Sequence, residues 1–237
     1  MLKINHFTKT YGEKKAVDDL SLHIQAGEIY GFIGHNGAGK TTTLKSVAGI
    51  MQFDSGEILV DGVSMNADPI ACKKKIAYIP DNPDLYDFMT GIQYLNFVGN
   101  VFGVPAQERS RRIQELGEAF ELTADLTQSI GSYSHGMKQK LVIISAWLHQ
   151  PELILMDEPF VGLDPKAAHI LKEMMRQVCD RGGAIFFSTH VLEVAEKLCD
   201  KVAIIKGGRL IKSGTMEDVK GDESLESVLL ELEDDNA

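Results

Sequence analysis

Residues 34–42 read GHNGAGKTT, and this stretch decides the fold. It matches the pattern G-x-x-x-x-G-K-[ST], set between an apolar run ending in glycine, GEIYGFIG, and a segment that predicts a helix. The glycines let the backbone wrap closely. The N–H groups of Asn36, Gly37, Ala38, Gly39, Lys40, Thr41 and Thr42 can then face phosphate oxygens, with the helix dipole behind them. Lys40 is expected to reach the β- and γ-phosphates of a nucleotide, and the Thr41 hydroxyl to ligate Mg²⁺. The bland alternative, a glycine-rich turn with an incidental lysine, fits poorly with a strand on one side and a helix on the other.

Downstream, LILMDEP (153–159) is an apolar strand that delivers two carboxylates at its C-terminal end, where ligands collect in parallel sheets. Asp157 is the candidate for the metal's water shell, and Glu158 for orienting or deprotonating the water that attacks a γ-phosphate. Taken alone, a strand ending in DEP is more often a helix cap or an exposed turn; residues 34–42 upstream reverse that balance. GAIFFSTH ends a further strand with His190, which can hydrogen-bond a γ-phosphate, although a lone histidine after a strand is usually structural. Tyr11, in TKTYG, can stack on an adenine ring, although an aromatic in an N-terminal β segment is by default core or cover.

Around these motifs the chain divides by periodicity. The first 63 residues carry strand and hairpin signals, including EILVDGV with its Asp61-Gly62 turn. From Tyr86 to Gln150 the pattern is helical, and Met137, Leu141, Ile144 and Leu148 predict one apolar face. After Pro151 the short runs LILM, AIFFST and VAIIK alternate with helical stretches, which predicts parallel β/α construction, and Gly207-Gly208 predicts a terminal hairpin. The expected arrangement is one α/β domain. Its core is 1–85 and 151–216, its helical insert 86–150, and its acidic tail 217–237, amphipathic enough for a short helix before it frays.

The net charge of −10 is mostly that tail, because residues 217–237 hold nine Asp/Glu against one Lys. The body is nearly neutral and offers no basic field for nucleic acid. No run approaches the roughly 20 apolar residues that span a bilayer, and the N-terminus lacks the apolar region of a signal peptide, so the chain is expected to be cytosolic or peripheral. Cys72, Cys179 and Cys199 have neither disulfide nor zinc spacing and read as reduced thiols.

TKTYG, GHNGAGKTT, YSHGMKQKL, LILMDEP, VGLDP and STH, in this order, resemble the nucleotide-binding subunit of ATP-binding cassette (ABC) transporters over residues 2 to about 215. YSHGMKQKL and DEPFVGLDP look most like the ATPases of bacterial ABC-2-type exporters, including the Ecs-type branch. The resemblance implies a P-loop NTPase fold with a RecA-like core, an N-terminal antiparallel β subdomain and a helical insert. It also implies Mg-dependent ATP hydrolysis powering export through a separate polytopic membrane subunit, at the cytoplasmic face of the membrane. In the family two subunits face head to tail, and the match assigns Ser134 and Gly136 to the γ-phosphate held by the other copy. A one-subunit alternative makes Ser134 simply a helix N-cap. Leu163 and Asp164 match a loop that communicates between the two sites, and Leu85, Tyr86 and Phe88 match the groove that receives the membrane partner.

Two positions depart from the family pattern. His135 stands where a glycine is usual before Gly136, which alters the closest backbone approach there. Asp81 stands where a phosphate- and metal-sensing glutamine is usual; an aspartate is shorter and cannot donate, so its reach to Mg²⁺ is direct or through water. An importer ATPase and a soluble ATPase of an assembly scaffold are the competing functions.

Overall fold

The computed structural model describes residues 1–221 and 223–234, and the expected fraying at the chain's end lies outside them. Strands β1 (Leu2–Tyr11) and β2 (Lys14–Ile24) form a hairpin; β1 also pairs antiparallel with β4 (Ser55–Val60), which turns through Asp61-Gly62 into the short β5 (Val63–Ser64). This gives a four-stranded sheet of order β2-β1-β4-β5.

Between these strands in sequence lie β3 (Ile29–Ile33) and α1 (Lys40–Val47), which belong to the second layer. That layer is completed by α2 (Pro69–Lys75), β6 (Ile76–Ile79), β7 (Leu153–Asp157), α6 (Pro165–Asp180), β8 (Ala184–Thr189), α7 (Leu192–Leu198), β9 (Lys201–Lys206) and β10 (Arg209–Thr215). Its six strands run in the order β10-β9-β3-β8-β7-β6, parallel throughout except for the β9–β10 hairpin expected at Gly207-Gly208.

Alternate side chains of these strands feed two different cores, as the two-residue strand period demands. Leu153, Leu155, Phe186 and Ile205 face the apolar space shared with the antiparallel sheet, where Leu2, Phe7 and Ile58 are buried. Ile154, Met156, Phe187 and Ile204 face the helices instead. A sheet buried on both faces needs continuous apolar runs, which is what LILM and AIFF supply.

Helices α3 (Gly91–Val101), α4 (Ala106–Ala119) and α5 (His135–Trp147) follow β6 in the chain. The single apolar face expected for α5 is corrected by the structure: every residue from Leu141 to Leu148 is buried, because α5 packs against α3, α4 and β6 at once. After β10 come α8 (Met216–Lys220) and α9 (Leu225–Asp234). Val219, Leu225 and Val228 from this acidic segment are buried in the helical-face core, so it is packed and is not a loose appendage.

Candidate active site

β3 ends in the loop 34–39, which passes directly into α1. Gly34 and Gly39 are required by crowding, since a Cβ would lie 2.3 Å from the Ile205 carbonyl oxygen at one and 2.6 Å from that of Ala16 at the other. Gly39 also takes φ 111° as the N-cap of α1, a conformation that side chains disfavour. The loop borders a cleft of about 320 Å³ at the C-terminal ends of β3 and β7. Asn36, Gly37, Gly39, Lys40, Thr41 and Thr42 line it from the loop and α1; Tyr11, Asp81, Asp157 and Glu158 line it from other elements. Ala38 does not line the cleft: it is buried, and its N–H donates to the His35 carbonyl oxygen within the loop.

Lys40 is 6% exposed and folds back over the loop, donating to the Gly34 carbonyl oxygen at 2.5 Å. Burial pulls its ammonium below the usual lysine range, while the charges of Glu158 and Asp157 act the other way. The Thr41 hydroxyl donates to Asp157 Oδ2 at 2.5 Å, and the Ser188 hydroxyl donates to Asp157 Oδ1. Glu158 takes a left-handed backbone, φ 47°, held by its N–H donating to Ser188 Oγ at 3.1 Å. Strain of this kind persists only where the surroundings over-determine it. Its Oε2 accepts from the His190 N–H at 3.3 Å, while Oε1 stands 2.9 Å from His190 Nδ1 and 3.8 Å from Lys40 Nζ. Oε1 is buried and forms no aligned hydrogen bond with the described residues, so its approach to His190 is one of distance.

The donors beside the cleft suit Mg²⁺. Thr41 Oγ1 and Asp157 Oδ2 are adjacent hard oxygens, and among the described residues no group of three His, Cys, Asp or Glu could cage a metal. Magnesium prefers such sites, with one or two protein oxygens and the remaining positions filled by phosphate and water. Asp81 lines the same cleft, and its carboxylate accepts from the Asn82 N–H at 2.8 Å.

Ser188, Lys14 and His35 were not singled out in the sequence, yet Ser188 fixes both Asp157 and Glu158, and the other two line the cleft. The only signal for Ser188 was a polar residue near the end of an apolar strand. Tyr11 is half exposed, with its hydroxyl on Met51 Sδ and its side chain at the cleft, so it is not a core residue, and both cover and base stacking remain open to it. Ser134 and Gly136 are absent from the cleft. Ser134 is the N-cap of α5, accepting from the Met137 N–H at 3.3 Å, and Gly136 packs against the Gly162 carbonyl oxygen.

A second concavity of about 250 Å³ lies beside β6, α3 and α5, lined by Leu85, Tyr94, Phe102 and His149 among others. Tyr86 and Phe88 are exposed and stand 5.8 Å apart between ring centroids, with Phe97 6.2 Å from Tyr86.

A parallel sheet with a phosphate-type loop, an α1 lysine and threonine, and a carboxylate pair on the neighbouring strand end defines a P-loop nucleoside triphosphatase. The ABC transporter family model matches residues 17–161, and the chain belongs to that family as an ATP-binding, ATP-hydrolysing subunit. It is 36% identical to the linearmycin resistance ATP-binding protein LnrL of Bacillus subtilis, over 92% of this chain and 70% of that protein. It is 32% identical to the ABC-type transporter ATP-binding protein EcsA of the same organism, over 100% of this chain and 98% of EcsA. A solved ATP-binding subunit of an ABC transporter superimposes with a TM-score of 0.94 at 34% identity, covering 98% of this chain and 99% of the other.

Proposed function

We propose that this chain powers export through a separate polytopic membrane subunit, working as a head-to-tail dimer at the cytoplasmic face of the membrane. The observation that carries the reading is the division of the motifs. Lys40, Thr41, Asp157 and Glu158 meet in one cleft, whereas Ser134 and Gly136 stand outside it at the start of α5. A site assembled from two copies accounts for both facts. Lys40 and the N–H groups of the loop bind the phosphates, Tyr11 stacks on the base, and Glu158 accepts a proton from the attacking water, with His190 beside its carboxylate. Ser134 and Gly136 of the facing copy complete the γ-phosphate contacts. Thr41 and Asp157 would hold Mg²⁺, with Asp81 as a further oxygen at the cleft; the bound ion neutralises charge developing on the phosphates.

Among the described residues no helix is long and apolar enough to cross a membrane. The aromatic surface of Tyr86, Phe88 and Phe97 beside the second concavity suits the partner's docking segment. Likeness to a resistance protein favours outward transport. The division into a core, a helical subdomain of 86–150 and a C-terminal segment from 217 is part of the same reading, with the helical unit carrying both Ser134 and the docking surface.

The test is chromatography with ATP and Mg²⁺. Glu158→Gln should retain ATP and run as a dimer, and Lys40→Ala should lose both binding and turnover. A Glu158→Gln protein that stays monomeric and hydrolyses ATP normally removes Glu158 from its role.

A further inference from the structure

The loop from Glu158 to Asp164 joins the site to α6, and it is fastened to α5 through His135, a residue that the chemistry above does not use. Gly162 has φ 81°, and a Cβ built on it would lie 2.5 Å from His135 Cδ2 and 3.0 Å from Nε2. The imidazole therefore rests on the face of Gly162 where no side chain fits. The fit is reciprocal, because a Cβ on Gly136 would come within 2.8 Å of the Gly162 carbonyl oxygen.

An independent contact lies one helical turn further along α5. Lys140 Nζ pairs with Asp164 Oδ2 at 2.7 Å, and Asp164 also caps α6 by accepting from the Ala167 N–H. Within the loop, the Val161 N–H donates to the Glu158 carbonyl oxygen and the Leu163 N–H to that of Phe160, so successive turns link Glu158 to Gly162. Phe160 packs edge-on against Phe187. A loop made of consecutive turns and held at both ends transmits displacement along its length.

We propose that His135 is a positioning residue for Glu158 in its own chain: its ring, seated over Gly162, locks the 158–164 loop to α5. The residue acts through the loop and touches none of the reacting atoms of its own cleft. Movement of α5 thereby reaches the Glu158 backbone without passing through the bound nucleotide. The inference rests on the reading of Glu158 as the residue that activates water.

The experiment compares His135→Ala, which removes the ring but keeps a good helix former, with His135→Phe, which restores a planar ring. In nucleotide-free protein, exchange of the Val161 and Leu163 amides should quicken at least ~10-fold in His135→Ala and return toward wild type in His135→Phe. Turnover should fall at least ~3-fold in His135→Ala, with KM for ATP within about 2-fold, because the substitution changes neither the phosphate loop nor the Ser134 hydroxyl and the Gly136 N–H. Gly162→Ala provides a second route, since its strain at φ 81° is common to both backgrounds while the ring clash exists only when His135 is present. Gly162→Ala should thus depress turnover more in wild type than in His135→Ala. Unchanged amide exchange in His135→Ala, or an equal cost of Gly162→Ala in both backgrounds, overturns the proposal. Glu158→Gln serves as the control: normal hydrolysis by that variant would count against the reading of Glu158, while the exchange data would still decide whether His135 holds the loop.

Discussion

Ser188 sits two residues before His190 at the end of a wholly buried strand, and its hydroxyl serves both carboxylate residues of the site. Ser188→Ala would leave Asp157 Oδ1 without its donor and the Glu158 N–H without one of its acceptors. A loss of about 1–3 kcal/mol in stability is expected in urea unfolding. Turnover should fall roughly 10- to 100-fold while ATP affinity holds, because displaced catalytic groups cost more than displaced binding groups. Gly34, Gly37 and Gly39 were equally legible as motif residues, but the sequence does not rank them. Gly34→Ala drives a Cβ to 2.3 Å from the Ile205 carbonyl oxygen and should cost at least about 2 kcal/mol. Gly37 has nothing within 4 Å of an added Cβ, so Gly37→Ala should cost only the ~1–2 kcal/mol of its left-handed φ. Thermal melts of the two variants check the order. Motif spacing identified Lys40, Thr41, Asp157 and Glu158, whereas a single serine in an apolar strand carries no pattern of its own.

Among the elements, the strands of the parallel sheet and the β9–β10 hairpin were readable, because apolar runs and glycine pairs report local structure. The surroundings of α5 were not. Its run LVIISAWL looks like a stripe with interruptions, and only packing reveals that the helix has no solvent face beyond Lys140. At its end His149 stacks on Phe102 with centroids 3.7 Å apart and lies 3.2 Å from the Ile76 carbonyl oxygen through Nε2. Burial, aided by the charge of Arg112, holds this imidazole below its ordinary 6.5. Between 6.5 and the depressed value the unfolded chain binds a proton that the folded chain does not, so stability falls as pH drops through that window and is unaffected well above it. The slope is at most about 1.4 kcal/mol per pH unit for one proton. His149→Phe, which keeps the stack, should show a shallower loss between pH 7 and 5 when unfolding is followed in urea. The acidic segment forms the short helix that its amphipathic pattern predicts, but its burial is not legible from its charge. Its charge count points to a solvated tail, but truncation after Met216 removes Val219, Leu225 and Val228 from the core. Leu225→Ala alone should cost about 2–5 kcal/mol, and the truncated chain should melt well below the full one.

At the scale of the whole molecule, the question is whether Ser134 serves its own cleft or another copy's. Within one chain its hydroxyl caps α5 and lines no part of the cleft that holds Lys40, so a cis contact would require α5 to leave the core in which Leu141 to Leu148 are buried. Approach by a second copy requires no such disruption. Mixing chains separates the two arrangements, because a Lys40→Ala chain paired with a Ser134→Ala chain retains one intact composite site only if the serine acts in trans. A structural readout avoids the question of whether turnover needs both sites. Gly39 is unsuitable for a cysteine probe, since a side chain there meets the Ala16 carbonyl oxygen, but Asn36 is exposed at the tip of the same loop. The three native cysteines are buried, and burial raises their thiols, Cys179 to about 11, so background coupling should be low. Asn36→Cys on one chain and Ser134→Cys on the other should link between chains when ATP is present, directly if the Cα atoms come within about 7 Å and otherwise through a short bifunctional reagent. Linkage between chains that grows with ATP and is lost in Lys40→Ala is the expected result. Linkage confined to single chains carrying both cysteines, at a rate indifferent to ATP, would return Ser134 to the role of a helix cap and leave each cleft to work alone.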